Sequence, residues 1–138
     1  MAKIIMPQLE AALSPYHNSE DLADFIKIFG KEVDLTEEIA RDTCHKISWE
    51  DSIAPVLLND TNYFKYKKIQ SRINKGIDCM VENLYKLIPD NSMYLSTDVC
   101  MNLSSDIYKL QDEMERAADA AMAAAFARLY NEQEAGRV

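Results

Sequence analysis

The sequence predicts an all-α protein, with an N-terminal lobe of short helices followed by a long antiparallel two-helix hairpin. Three observations predict it. Only three glycines and four prolines occur in 138 residues, whereas barrels and sandwiches need both at their many turns. Apolar residues make up 48 % of the chain and charged residues 28 %, enough to bury a core and ordinary for a globular domain. Apolar positions recur every three or four residues over two long stretches, the period of a helix face.

Residues 1–18 hold Pro7, Pro15 and a short helical hint from Leu9 to Leu13, and read as a loosely ordered arm. Ser19 fits an N-cap, with Glu20 and Asp21 in the first turn, where the helix dipole favours acids. Leu22, Phe25, Ile26 and Phe29 then share one face, and Gly30 is placed to end the helix at 20–29. Asp34 with Glu37 resembles a capping box for a helix over 35–47, with Ile39, Ala40, Cys44 and Ile47 inward. Ser48 starts a third element through Trp49, Ile53, Val56, Leu57 and Leu58. Pro55 lacks an N–H and crowds the preceding turn, so this element kinks or restarts there. These elements form a lobe over residues 19–60.

Asn59-Asp60-Thr61-Asn62 is a turn and a new N-cap. From Thr61 to Ile88 the residues Tyr66, Ile69, Ile73, Ile77, Met80, Leu84 and Leu87 make one apolar stripe. Pro89-Asp90-Asn91-Ser92 turns the chain, and a last helix runs from Ser96 or Thr97 to about Gln133. Leu103, Ile107, Leu110, Met114, Ala117, Ala121 and Ala124 step alternately by four and three, the seam of a coiled coil. A short link between long helices implies a hairpin within residues 61–138. The end of the last helix is apolar on a second face as well, through Met122, Phe126, Leu129 and Tyr130. The lobe or a second copy can cover that face. Self-association is the reading adopted, through Ala117, Ala121, Met122, Ala124, Ala125, Phe126 and Leu129.

Net charge is −8, but it is sorted along the chain. Residues 1–60 carry five Lys/Arg against twelve Asp/Glu, residues 61–88 six against two, and residues 89–138 four against nine. Lys65, Lys68, Arg72 and Lys75 are spaced to form one ridge along a helix, with Lys67, Asn62, Tyr63 and Gln70 near its start. Such a ridge can neutralise several phosphates; its other use is to pair with the acidic lobe or a neighbouring copy.

Catalytic constellations fail on inventory. Gly30, Gly76 and Gly136 cannot build a phosphate-binding glycine loop or a nucleophile elbow. His17 and His45 are far apart, and adjacent Cys44 and His45 point about 100° apart on a helix. The acidic groups Glu37, Glu38, Asp42 and Asp112, Glu113, Glu115 flank the apolar stripes beside Arg41 and Arg116, as a solvated face does. No enzyme activity, metal or other cofactor is expected. Cys44, Cys79 and Cys100 have neither zinc nor disulfide-scaffold spacing. With no signal peptide and no membrane-length apolar run, a cytoplasmic protein with no membrane partner is expected.

Thr36–Lys46, Trp49–Leu58 and Thr61–Lys75, read as three successive helices ahead of a hairpin at 61–133, resemble the small terminase subunit of tailed bacteriophages in element order. The resemblance implies a ring-forming viral protein in the host cytoplasm that binds double-stranded DNA and regulates a packaging motor subunit. Since the lobe is strongly acidic, it also implies that Lys65, Lys67, Lys68, Arg72 and Lys75 make the DNA contacts. The rival expectation is an acidic helical inhibitor or adaptor that covers a basic surface of a partner protein.

Overall fold

The computed structural model describes residues 3–13, 19–86 and 97–136, and it is mostly helical. Strand β1 (Lys3–Ile5) leads into α1 (Met6–Leu13), then α2 (Ser19–Phe29), β2 (Glu32–Asp34) and α3 (Glu37–Asp42). A π-helical turn at Trp49–Ile53 runs into α4 (Ala54–Leu57), followed by the long helices α5 (Asp60–Tyr85) and α6 (Thr97–Ala135). Two compact units result: Met1–Ile69 with Asp119–Val138, and Gln70–Ala118. No helix of the described residues is long and apolar enough to cross a membrane.

Residues 3–13 of the arm form a short strand and a helix. β1 pairs antiparallel with β2, with Ile4 opposite Val33 and both buried. Three residues are too few for alternation to signal a strand. Pro7 sits in the first turn of α1, where a missing N–H is tolerated, and Leu9 of that helix is fully buried. Residues 14–18, with Pro15 and His17, lie outside the described residues.

α2 follows its sequence pattern. Phe25 is buried, while Ile26 at the edge of the same face is half exposed. Gly30 ends the helix at φ 74°, its N–H donating to the Ile26 carbonyl at 2.9 Å, a conformation that a Cβ penalises. α3 is shorter than the expected 35–47, and its cap is Thr36 rather than Asp34: the Ile39 N–H donates to Thr36 Oγ1 at 3.0 Å. Asp34 is held in β2. Thr43 closes α3 through its side chain, donating to the Ile39 carbonyl at 2.7 Å and accepting from Trp49 Nε1 at 2.9 Å. That second bond fixes the indole.

Pro55 is accommodated by a change of helical register. The Ile53 N–H donates to the Ser48 carbonyl five residues back, and the Ala54 N–H to that of Trp49. The wide turn then passes to α4 with Pro55 in its first turn, where no N–H is required. Asn59 starts α5, its Oδ1 accepting from the Asn62 N–H at 2.9 Å, as the sequence expects.

The first unit closes around a column of rings. Phe25 meets Phe29 at 5.2 Å, Phe29 meets Trp49 at 6.1 Å, Trp49 stacks on Phe126 at 5.7 Å, and Phe126 stacks on Tyr130 at 5.7 Å. Two amides of α6 lock that helix to the lobe. Asn131 Nδ2 donates to the Leu35 carbonyl at 3.0 Å. Gln133, only 7 % exposed, donates from Nε2 to the Leu57 carbonyl at 2.9 Å and accepts at Oε1 from the Asn59 N–H at 2.7 Å and Asn62 Nδ2 at 3.2 Å. One side chain thus satisfies the end of α4 and the start of α5. Gln133→Ala is expected to destabilise the chain by about 2 kcal/mol, because it removes three hydrogen bonds worth about 0.5–1.5 kcal/mol each. Urea unfolding checks this; a loss under about 0.5 kcal/mol would show the bridge to be dispensable.

In the second unit Ile107 is buried, and Tyr85 of α5 meets Tyr108 of α6 edge-on at 6.2 Å. Of the expected seam, Leu103 and Met114 are half-buried, whereas Leu110, Ala117 and Ala121 are exposed. Met80 on the α5 stripe is exposed too. Leu87 and the expected turn at Pro89–Ser92 lie outside the described residues.

Candidate functional site

α5 carries the basic residues. Its stretch in the first unit displays Phe64, Lys65, Lys67 and Lys68, and its stretch in the second displays Arg72 and Lys75, all exposed. At 100° per residue, Phe64, Lys68, Arg72 and Lys75 fall on one side of the helix with Lys65 at its border. Lys67 stands about 100° round from Lys68, its Nζ 5.5 Å from the ring centroid of Tyr63. Phe64 is 62 % exposed, and Lys68 Nζ lies 4.6 Å from its ring centroid. This cation–π contact holds the ring and the charge together at the surface.

The ion pairs of the described residues are Lys3–Glu32, Glu82–Lys86 and Asp112–Arg116. None engages Lys65, Lys68, Arg72 or Lys75.

The expected self-association residues divide. Ala117 and Ala121 are exposed. Met122, Ala124, Ala125, Phe126 and Leu129 are buried in the first unit. These five complete the core of a single copy, with Trp49 stacked on Phe126. Of the two ways to cover the second apolar face, the lobe takes it.

The expected acidic clusters lie in the open. Glu37, Glu38 and Asp42 are exposed, as are Asp112, Glu113 and Glu115, with Arg116 3.2 Å from Asp112. No three His, Cys, Asp or Glu side chains of the described residues are grouped to hold a metal.

A different acidic feature has no local sequence signal. A cleft of about 130 Å³ opens where the π-helical turn meets α6, lined by Cys44, Trp49, Glu50, Asp51 and Asp119 among others. Burial, then Asp119, pushes the Cys44 thiol up from its ordinary value, so it stays protonated. Nearby, the Tyr66 hydroxyl is fully buried without a hydrogen-bond partner among the described residues. Burial raises its pKa most, followed by the charges of Glu50 and Asp51, then Tyr63 and Asp119. In sequence, Glu50 and Asp51 read as the first turn of a short helix, and Asp119 as one polar residue in an alanine-rich stretch. Only the long-range fold joins them.

No family model, curated protein or solved structure matches the chain.

Proposed function

We propose that the chain is a non-catalytic, oligomeric helical protein that binds the phosphate backbone of double-stranded DNA through α5, in the manner of the small terminase subunits its element order resembles. The carrying observation is the exposed ridge of Lys65, Lys68, Arg72 and Lys75, which lacks a carboxylate within ion-pair distance among the described residues. Four cations left to solvent in a chain of net charge −8 form a local site against a repelling background. Phe64 adds an apolar ring beside Lys68 that can pack on sugar or base edges.

This balance sets the behaviour. A net negative protein gains nothing from long-range steering toward DNA, so binding rests on short-range phosphate contacts. One copy offers about four such contacts, and several copies side by side multiply them without new chemistry. A labelled 30-base-pair duplex titrated with the full chain tests this by fluorescence anisotropy. Saturable binding at about 50 mM salt, largely lost by about 200 mM, is expected. Light scattering on a sizing column should give a mass of several copies. A monomer that leaves the duplex untouched at low salt would overturn the proposal.

A further inference from the structure

We infer that the start of α5 takes an unpaired base: Phe64 stacks on a base of single-stranded DNA where a duplex ends, and Lys65 and Lys68 hold the phosphates beside it. The inference rests on the reading that α5 contacts DNA, and it names the form of DNA that this end of the helix takes.

Three observations converge on it. First, Phe64 departs from the other aromatic residues of its unit. Of the described rings there, Phe25, Trp49, Tyr66, Phe126 and Tyr130 are buried and Phe29 and Tyr63 half-buried, while Phe64 is 62 % exposed. Its helix neighbours one turn away are Asp60, Thr61, Lys67 and Lys68. The ring therefore stands among polar side chains rather than at the border of an apolar face, which is the setting of a ring that meets a flat polar molecule and not a protein core.

Second, cations surround it. Lys68 Nζ lies 4.6 Å from the ring centroid, and the ion pairs of the described residues engage neither Lys65 nor Lys68. Residues 60–69 carry Lys65, Lys67 and Lys68 against the one carboxylate of Asp60. A flat ring with an ammonium at its side matches the two parts of a nucleotide, the base and the phosphate. A duplex offers the phosphate but keeps the faces of its bases covered by one another. Stacking on Phe64 is thus a gain that an unpaired base provides and a paired one does not.

Third, the pairing of ring and cation is repeated and anchored. Lys67 Nζ lies 5.5 Å from the centroid of Tyr63, and Tyr63 is stacked on the buried Tyr66 at 6.3 Å. The two ring–lysine pairs stand about 100° apart round the helix. A single strand bends freely enough to cross both, whereas a straight duplex rests on one side. Both rings are carried by one helix, so little order has to be created when the strand arrives.

The test sets three labelled DNAs side by side, each titrated with the full chain at about 50 mM salt and read by fluorescence anisotropy. One is the blunt duplex, one the same duplex with a 3′ overhang of about ten thymidines, and one with an equal overhang of abasic sites, which keeps the phosphates and lacks the bases. The thymidine overhang is expected to bind on the order of tenfold tighter than the abasic one. Phe64→Ala should abolish that difference, and its exposed position means that the fold is kept. Phe64→Trp should retain the difference. Its new indole should be quenched by the thymidine overhang and not by the abasic one, against the constant background of the buried Trp49. Equal binding of the two overhangs by the unaltered chain would overturn the inference and leave duplex binding by α5 standing. A chain that binds none of the three DNAs would overturn both. Tight binding of the thymidine overhang with no binding of the blunt duplex would support the inference and overturn the duplex contact. A Phe64→Ala chain that keeps the preference but loses oligomer mass would place the ring between copies and overturn the inference.

Discussion

Phe126→Ala is expected to lower the stability of the folded chain by roughly 4 kcal/mol. Phe126 is fully buried and stands between Trp49 and Tyr130 in the ring column, 5.7 Å from each. Removing a buried phenylalanine side chain costs about 3–5 kcal/mol through lost transfer energy and the cavity left behind. Its two ring partners add about 0.5–1.5 kcal/mol each beyond area burial. A native protein has only about 5–15 kcal/mol of stability in total, so the variant should be marginal at 37 °C. Urea unfolding followed by Trp49 fluorescence measures this, with Phe126→Leu as the milder companion at about 1.5 kcal/mol. A loss below about 1 kcal/mol for Phe126→Ala, with a fall in oligomer mass instead, would mean that the residue joins copies rather than closing one chain.

The second large effect concerns α5. Replacing Lys65, Lys68, Arg72 and Lys75 together with Glu should weaken binding of the 30-base-pair duplex by at least about 100-fold at 50 mM salt. Each phosphate contact contributes about 0.9 to the slope of log affinity against log salt, so four neutral Gln replacements should flatten that slope by about 3–4. All four side chains are exposed, and none is in an ion pair of the described residues. Stability should therefore change by no more than about 0.5 kcal/mol per site. Lys67→Glu, on another side of the helix, is the single-site control and should lower affinity only a few-fold. An unchanged affinity in the fourfold Glu variant would remove α5 from DNA binding and leave the acidic surfaces as the place to look.

What the sequence made legible is what neighbouring residues determine. The span of α2, its stop at Gly30, the turn and new cap within Asn59–Asn62 and the long run of α5 all depend on residues within a turn or two of each other. The break at Pro55 was legible as a break, though not as a π turn, because the choice of register rests on packing around Trp49 and Ile53, both buried. Asp34 misled because two strands of three residues compete with a helix start there, and Thr36 caps better. The second apolar face of α6 was visible in Met122, Phe126, Leu129 and Tyr130, but not which surface covers it. That answer lies in Trp49, 77 positions before Phe126 in sequence. The spacing of Lys65, Lys68, Arg72 and Lys75 is a property of the sequence, whereas their exposure and the absence of an ion pair to them among the described residues required the fold. The cleft was invisible for the same reason as the Gln133 bridge: each joins side chains about 70 residues apart.

The Gln133 bridge has a kinetic side. Helical proteins usually fold fast because their contacts are local. Here the bonds that close the first unit span 74 positions from Asn59 to Gln133 and 96 from Leu35 to Asn131. Bringing such distant points of a flexible chain together costs roughly 4 kcal/mol of loop-closure entropy before any contact offsets it. Part of this helical fold is therefore closed by bonds of long sequence separation, and its helices can form well before its core does.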